Sequence, residues 1–378
     1  MRHPFKALIL VAAVSHSLPA SAAGTEPDPE VVRIIEEFRL RESATPMSEH
    51  PRWQPRRVVV SLPEGLAGRM PGLEQRLMDI AGEVELHIDR SAGLTPSAEV
   101  LKGADAVISL CSPTLMENAD DRLLWLHNYT VGIDRCAGLP EGQIEGRVFS
   151  NSKRLSGPAI AEHTIGMMMA LARGLPAFSR ADAWDRGLAR DITFGDVNGK
   201  RMLVVGLGGI GSQIAWRAHG LGMQVSAIRN SSRGGPDYVD YVGLPDELLK
   251  LAGEADVVVN ALPLTDETTG LFDARFFKAV KPGAMFLSVG RGKSTVTADL
   301  VAALESGKLY GAGLDVTDPE PLPEDSPLWK MDNVIITPHI SASGQGSMQR
   351  VALVAAENLR RYLAGEPLLN LVDMKKGY

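Results

Sequence analysis

The sequence predicts an α/β protein of two domains, each with a doubly wound parallel sheet, one domain being inserted into the other. Short apolar runs alternate with helical patterns in two separate series along the 378 residues, which is typical of parallel sheets with crossover helices. A long apolar segment separates the two series, and one more helical pattern follows the second. The last helix is therefore expected to return to the first domain.

The composition is that of a folded, globular chain. It is 44% hydrophobic and 22% charged, which gives enough apolar side chains for a core and too few charges for disorder. The net charge of −7 argues against a nucleic-acid binder, which would carry a basic face. Cys111 and Cys136 form no disulfide framework or zinc spacing. We expect no metal site and no functional role for either cysteine.

The first 22 residues have the layout of a secretory signal peptide. Arg2 and Lys6 precede an apolar run over 7–14, and small residues at 20–22 suggest cleavage after Ala22. The run is too short to span a bilayer. We therefore expect export to the periplasm or the medium, with no membrane attachment after cleavage. If the start of the chain is misassigned, the expected location is the cytoplasm.

Residues 23–55 form an N-terminal extension and a Pro-rich linker before the first domain, which spans 56–152. The extension begins with an expected amphipathic helix, and its apolar side carries Val31, Ile34, Ile35 and Phe38. Strand-like runs of the first domain follow as RVVVSL, VELHI, DAVISL and LLWLHN.

The segment SGPAIAEHTIGMMMALARGLPAFSRA, 156–181, predicts one long buried helix with Ser156 as its N-cap and Pro158 near its start. Its apolar IGMMMALA face exceeds what one small sheet needs to cover. We therefore predict a homodimer formed through the helix over 156–174.

The second domain is expected over 153–344. Its strand-like runs are RMLVVGLG, QVSAI, ADVVVNAL, AMFLSVG, YGAGLDV and NVIITPH. Residues 345–378 complete the first domain through a helix over 343–364, whose apolar face carries Val351, Val354, Ala355 and Leu359.

A glycine-rich turn opens the second domain. Gly206, Gly208 and Gly211 have G-x-G-x-x-G spacing, directly after an apolar strand and at the start of a helix that ends near Gly220. This is the context of a Rossmann-like dinucleotide site: the glycines allow a tight turn, close approach of pyrophosphate and close helix–strand packing. The first helical N–H groups face the phosphates. The expected cofactor contacts here are Gly206, Gly208, Gly209, Ile210 and Gly211, with Leu262 and Pro263 after a later strand.

The next strand ends in RNSSRGG, where an acid usually accepts a hydrogen bond from the ribose 2′-hydroxyl. Here the stretch carries Arg229, Asn230, Ser231 and Arg233 and no acid. Guanidinium groups and small donors suit a 2′-phosphate. The residues therefore favour NADP(H), with NAD(H) possible. The alternative is that Arg229 is a solvated loop residue.

Three further segments, LSVGRGKSTV, GLDVTDPEPLP and NVIITPHISAS, complete a pattern with the glycine turn and AEHTIGMMMALAR. Together they resemble the D-isomer-specific 2-hydroxyacid dehydrogenase family, over about 101–363. The resemblance implies a dinucleotide-binding domain inserted into a flavodoxin-like substrate domain. It also implies catalytic roles for Arg291, Glu320 and His339, which occupy the family's motif positions.

The resemblance implies two further contacts. Asp315 is expected to face the nicotinamide carboxamide, the alternative being a strand-end cap. The loop HNYTVGIDRC resembles the one whose backbone N–H groups bind the substrate carboxylate, here those of Val131 and Gly132. Tyr129 is bulkier than many residues at its place in the family, which leaves substrate size open.

The chemistry accounts for these residue types. Reduction of a 2-oxo acid delivers hydride to the carbonyl carbon and a proton to its oxygen. His339 can donate that proton near neutral pH, and Glu320 can orient the imidazole and favour its charged form. Arg291 can pair with the carboxylate and polarise the carbonyl.

The leading hypothesis is an NAD(P)-dependent 2-oxoacid reductase acting on glyoxylate, hydroxypyruvate or another small 2-oxo acid. Phosphite oxidation on the same scaffold is an open alternative. A formate dehydrogenase relative fits less well, because glutamine is expected there in place of Glu320. A dinucleotide-sensing binding protein without turnover is the alternative of a different class, and the intact catalytic set argues against it.

Overall fold

The computed structural model describes residues 27–374 apart from 137, 185, 191, 192 and 194, and only the backbone of 188. The predicted signal peptide, 1–22, lies outside the described residues. Within them, no helix is long and apolar enough to cross a membrane.

The first domain is built on a five-stranded parallel sheet in the order β2-β1-β3-β4-β5. This is the flavodoxin-like order, which reverses direction beside β1. The strands are β1 Arg57–Ser61, β2 Glu85–Asp89, β3 Ala106–Ser109, β4 Trp125–Asn128 and β5 Val148–Asn151. The helices before and between them are α1 Pro29–Phe38, α2 Glu64–Ala67, α3 Leu73–Ala81, α4 Ala98–Leu101, α5 Pro113–Asn118 and α6 Glu141–Ile144.

The second domain is built on a seven-stranded parallel sheet in the order β12-β11-β10-β9-β6-β7-β8. The strand order reverses between β6 and β9, and such switch points place ligands at the carboxyl ends of the strands. The strands are β6 Arg201–Val205, β7 Gln224–Ile228, β8 Tyr241–Gly243, β9 Val257–Asn260, β10 Ala284–Ser288, β11 Leu309–Leu314 and β12 Val334–Ile336. The helices are α7 Gly157–Ala172, α8 Leu175–Ser179, α9 Gly209–Gly220, α10 Leu248–Ala252, α11 Ala274–Ala279 and α12 Thr297–Glu305. The prediction of two parallel-sheet α/β domains is confirmed.

The C-terminal helix α13, Gln345–Ala364, returns to the first domain and packs against α3 and α1. Its apolar face is buried in the same core as the β1 strand residues and the α1 residues Val31, Ile34 and Phe38. The N-terminal extension is therefore an integral layer of the first domain.

The predicted long helix over 156–181 is wrong in two respects. Gly174 adopts the left-handed conformation at φ 61° and separates α7 from α8, because glycine tolerates the φ that ends a helix. Ser156 lies at the start of α7, but its side chain caps no backbone N–H. Its hydroxyl instead accepts a hydrogen bond of 2.7 Å from Ser347 on α13.

The observation behind the predicted dimer is also corrected. Met167, Met168 and Leu171 of α7 are buried within the chain, since α7 lies on α9 and on strands β10 and β11. The buried side chains of the IGMMMALA segment thus cover the second sheet.

Cys111 and Cys136 form a disulfide, with Cα atoms 5.9 Å apart, well within the range such a bond requires. The sequence interpretation of both cysteines as functionally unimportant missed this bond. It joins the end of β3 to the loop after β4, and this loop contains the predicted carboxylate-binding residues. Both residues are buried.

Candidate active site

The glycine turn has the geometry that a dinucleotide site requires. Gly206 has φ 103°, and a side chain there would place its Cβ 2.8 Å from the carbonyl oxygen of Ala261. A Cβ on Gly211 would lie 2.0 Å from the carbonyl oxygen of Gly206. Both positions therefore exclude any other residue, the first for the turn and the second for close packing of α9 on β6.

Helix α9 begins directly after this turn, with Gly208 as its N-cap residue. The first N–H groups of a helix have no partner within it and carry its positive dipole end, so Gly209 and Ile210 present an anion-binding terminus. Leu262 lies beside the turn, and a Cβ on Gly206 would be 3.2 Å from Leu262 Cδ2. Pro263 follows it, and its carbonyl oxygen accepts a hydrogen bond of 2.7 Å from Thr268.

Arg229 follows β7 at the ribose end of the turn. Its backbone N–H donates to the Gly243 carbonyl at 3.0 Å, and its Nη1 donates to the Gly234 carbonyl at 3.0 Å. The guanidinium keeps further N–H donors for a ligand. Asn230 and Ser231 beside it are exposed.

Arg233 is engaged elsewhere. Its Nη1 lies 2.6 Å from Glu247 Oε2 and donates to the Tyr241 hydroxyl at 2.9 Å. The hydrogen bond from Tyr241, together with this cation, lowers the pKa of Glu247 to about 2. An acid therefore does lie beside the predicted phosphate site, which the local sequence did not indicate, and Arg229 is the less encumbered of the two arginines.

His339 and Glu320 form the expected pair. His339 Nδ1 lies 2.7 Å from Glu320 Oε1, and both side chains are a little under half exposed, so the pair is open to a ligand. His339 has φ 53°, and its N–H donates to the Asp315 carbonyl at 2.9 Å. The peptide bonds Asp318–Pro319 and Glu320–Pro321, on either side of Glu320, are cis.

Asp315 holds the loop that carries His339. Its carboxylate accepts hydrogen bonds from the Thr337 hydroxyl at 2.6 Å and from the N–H groups of Ile340 and Ser341. Burial alone would raise the pKa of Asp315, but these hydrogen bonds outweigh it and lower the pKa. The side chain has no exposed surface. The arrangement agrees with the strand-end cap, and the contact with a nicotinamide carboxamide stays a prediction.

Arg291 lies over the predicted carboxylate loop. A Cβ on Gly132 would be 1.8 Å from Arg291 Nη2, so the guanidinium rests on the backbone of this loop. Its Nε donates to Asp134 Oδ2 at 2.7 Å and its Nη1 to the Gly290 carbonyl. Within the described part of the chain, the N–H groups of Val131 and Gly132 donate to no acceptor. Three donors, two from the backbone and one from Arg291, are therefore available for one carboxylate.

Sequence reasoning missed two residues of this site. Asp134 fixes Arg291, and it lies in the quoted loop only two residues after Gly132. His163 of α7 contacts the Thr337 hydroxyl through Nε2 at 2.9 Å, and it therefore supports the loop that Asp315 holds. No signal in the spacing could pair either residue with a partner more than 150 positions away.

The side chain of Tyr129 does not reduce the space for a substrate. Its ring is buried in the core of the first domain, and burial raises the pKa of its hydroxyl. The residue that seemed bulky in the sequence thus packs inside the domain.

Arg291, Glu320 and His339 follow the carboxyl ends of the adjacent strands β10, β11 and β12. They lie on the sheet that carries the glycine turn. The fold and the site together define an oxidoreductase that uses a nicotinamide dinucleotide.

Comparisons with known proteins agree with this class. Residues 165–341 match the sequence profile of the D-isomer specific 2-hydroxyacid dehydrogenase, NAD binding domain. The glyoxylate reductase of Thermococcus onnurineus is 34% identical over 289 residues, 73% of this chain and 84% of that protein. The glyoxylate reductase of Korarchaeum cryptofilum is 31% identical over 287 residues, 73% of this chain and 85% of that protein.

Solved structures give the same answer. A D-isomer specific 2-hydroxyacid dehydrogenase from Xanthobacter autotrophicus, in complex with NADPH and MES, superposes with a TM-score of 0.70 at 27% identity, covering 85% of this chain and 99% of that one. An NADPH-dependent glyoxylate/hydroxypyruvate reductase from Sinorhizobium meliloti, in complex with NADP and sulfate, has a TM-score of 0.69 at 25% identity and covers 85% and 100%. This chain belongs to the D-isomer specific 2-hydroxyacid dehydrogenase family.

Proposed function

We propose that the protein is an NADP(H)-preferring reductase of a small 2-oxo acid such as glyoxylate or hydroxypyruvate. The observation that carries the proposal is the half-exposed His339–Glu320 pair, on the same sheet edge as Arg291. Relatives named glyoxylate reductase, identical to the chain at 31–34% of the aligned positions, support the substrate class.

The substrate carboxylate is held by backbone groups of the first domain and by Arg291 of the second. The free N–H groups of Val131 and Gly132 and the Nη2 of Arg291 supply three hydrogen bonds to it, one of them charge-assisted. Asp134 keeps the guanidinium plane in place through Nε, so Arg291 also lies ready to polarise the adjacent carbonyl. A small 2-oxo acid presents both groups on neighbouring carbons.

Proton transfer falls to His339. Glu320 binds Nδ1 and thereby directs the other ring nitrogen, Nε2, to the substrate. The imidazolium gives its proton to the carbonyl oxygen during reduction and takes it back during oxidation. NADPH, when bound at the glycine turn, supplies the hydride.

The cofactor assignment rests on two features. The turn from Gly206 to Gly211 and the α9 N-terminus fit a dinucleotide pyrophosphate. Arg229 directly follows β7, at the strand end that would face the ribose 2′-phosphate. The structural relatives bound to NADPH or NADP support the same assignment.

A panel of 2-oxo acids tests the proposal with the purified mature chain and either NADPH or NADH. We expect turnover with glyoxylate or hydroxypyruvate, and at least about a hundredfold loss in His339→Gln with unchanged cofactor affinity, since general acid catalysis contributes about 10²–10⁴-fold. Loss below tenfold would remove His339 from this role. Cofactor binding without turnover of any acid would favour the sensing protein, and turnover of phosphite would favour the alternative oxidation.

We also propose that the protein is exported. The signal-like residues 1–22 and the Cys111–Cys136 disulfide support this independently, because disulfides persist mainly outside the reducing cytoplasm. Intact-mass analysis of protein from the native host should show a mature chain beginning near Ala23 and lacking free thiols. A full-length chain with two free thiols in the soluble cytoplasm would refute export.

A homodimer through α7 remains a separate proposal. Met167 and Met168 are buried in the chain, and the apolar residues that α7 leaves partly exposed include Ile165 and Met169. Sedimentation at micromolar concentration should show a dimer, and a monomer would end the proposal.

A further inference from the structure

The N-terminal extension is fixed in place at its end as well as along α1. After Phe38, which is buried, Arg39 caps the helix in the left-handed conformation, and Leu40 is buried again. Arg41 then pairs with Asn370: the Asn370 N–H donates to the Arg41 carbonyl at 2.7 Å, and the Arg41 N–H donates to the Asn370 side chain at 3.3 Å. The direction in which this segment presents its exposed side chains is therefore set by the fold.

Residues 38–41 lie against Lys153 and Arg154, where the chain passes from the first domain to the second. Arg154 Nη1 donates to the Phe38 carbonyl at 3.2 Å, and the Asn370 side chain donates to the Lys153 carbonyl at 3.0 Å. Arg154 in turn covers the first turn of α9, because a Cβ on Gly209 would lie 2.8 Å from Arg154 Cγ. The extension thus reaches the rim of the glycine turn.

Four arginines share this region. Burial lowers the pKa of Arg154, and the positive charges of Arg41, Arg39 and Arg229 lower it further. Burial raises the pKa of Tyr238, in the segment after Arg229, and the positive charge of Arg39 opposes this. Within the described residues, none of the four side chains forms an ion pair with a carboxylate. Like charges repel, so an anion bound among these four side chains would stabilise the cluster.

We propose that Arg39 and Arg41 of the extension join Arg154 and Arg229 to form a basic wall over the glycine turn, and that this wall binds the phosphate groups of the dinucleotide. Arg154 lies at the turn where the pyrophosphate binds, and Arg229 lies at the 2′-phosphate position. Arg39 directly follows Phe38, whose carbonyl accepts the hydrogen bond from Arg154. The inference rests on the proposed cofactor assignment and adds a binding role for a segment that precedes the first strand of the fold.

Direct cofactor binding tests it, without any 2-oxo acid present. NADPH and NADH are titrated by fluorescence against the mature chain and against Arg39→Asn/Arg41→Gln. Asn tolerates the left-handed conformation at position 39, and both side chains are exposed, so the fold is expected to persist. Charged hydrogen bonds to phosphate in a partly solvated site predict a rise in Kd of about five- to twentyfold for NADPH, with a weaker salt dependence than in the unmodified chain.

The double substitution Arg33→Gln/Arg56→Gln is the matched control. It removes two positive charges, one from α1 and one directly before β1, at the sheet edge opposite the strand carboxyl ends. Its Kd should stay within twofold of the unmodified chain, and Arg39→Lys/Arg41→Lys should retain most of the affinity. If the first double variant does not fold, Arg41→Gln alone should raise the Kd at least twofold.

Equal Kd values in the test and control variants would overturn the proposal, as would tighter binding after removal of the arginines. Failure of the proposed function would give a different set of results from failure of this inference. A chain that turns over no 2-oxo acid, or that binds NADH as well as NADPH, can still lose affinity for both cofactors when Arg39 and Arg41 are replaced.

Discussion

Gly132 offers the sharpest test of the site, because a methyl group there would meet both Arg291, which is proposed to hold the substrate, and Asp134, which fixes Arg291. In Gly132→Ala the new Cβ would lie 1.8 Å from Arg291 Nη2 and 2.5 Å from Asp134 Oδ2. The backbone itself accepts alanine, since the φ of Gly132 is outside the left-handed region. The substitution therefore acts on the position of Arg291.

The structure gives the size of the effect. Ordinary contact needs roughly 3.5 Å, so the guanidinium must move by about 1.5–2 Å. The displaced atoms are the ends of two side chains, so the free energy of unfolding should change by less than about 1 kcal/mol. A misplacement of 1 Å can cost about 10²-fold in rate. We therefore expect kcat/KM for glyoxylate to fall by about 10²-fold.

The assay is steady-state reduction of glyoxylate at saturating NADPH, together with fluorescence titration of NADPH and a thermal unfolding curve. The Kd of NADPH should stay unchanged, because Gly132 belongs to the substrate domain. Gly142→Ala on α6 is the control, since a Cβ there meets nothing within 4 Å. A kcat/KM of Gly132→Ala within threefold of the control would refute the placement of the carboxylate beside Arg291.

Three further predictions concern single side chains. Glu320→Gln should lower kcat and leave the Kd of NADPH unchanged, because the imidazole of His339 loses the carboxylate that orients it at 2.7 Å; an unchanged kcat would contradict the pairing. We expect NADPH to be preferred over NADH by about tenfold, measured as a ratio of kcat/KM values at low salt. Arg229→Asp should reverse this preference, and an unaltered ratio would show that Arg229 does not contact the 2′-phosphate. Burial lowers the pKa of His127 to about 3 from an ordinary 6.5, so the contribution of His127 to the free energy of unfolding should fall by about 1.4 kcal/mol per pH unit as the pH drops below 6.5 toward 3. Urea unfolding of His127→Leu should show a shallower pH dependence than the unmodified chain, and an identical slope would reject this assignment.

The local features of the fold and the site were predictable from sequence. The spacing of Gly206, Gly208 and Gly211 is informative because a tight turn leaves no room for side chains at such positions. The structure shows this at Gly206 and Gly211, where a Cβ would clash with neighbouring backbone atoms. The apolar periodicity of α1 and α13 likewise reports which face is buried, since period and burial are linked within one helix. His339 and Glu320 were paired by family resemblance and are adjacent in the structure.

What failed depends on contacts between distant segments. The face of α7 looked unpartnered because the sequence does not show that α9 and the second sheet cover it. The position of Ser156 is typical of an N-cap, but its hydroxyl accepts a hydrogen bond from Ser347, 191 residues further along the chain. Strands β5 and β8 had no prediction, because their segments VFSN and YVG each contain only two large apolar residues, too few to form a recognisable apolar run. Arg233 was assigned to a ligand without knowledge that Glu247 pairs with it.

The ion pair between Arg291 and Asp134 has a consequence for motion. Arg291 follows a strand of the second sheet and Asp134 follows a strand of the first, so their 2.7 Å contact joins the two domains across the cleft. Any movement that widens the cleft must separate these two charges, and both are only about a quarter to a third exposed. For a partly buried pair this separation costs about 1 kcal/mol, which lowers the population of the open form roughly fivefold. The ion pair thus favours the closed form, and Arg291, which is proposed to orient the substrate, also holds the two domains together.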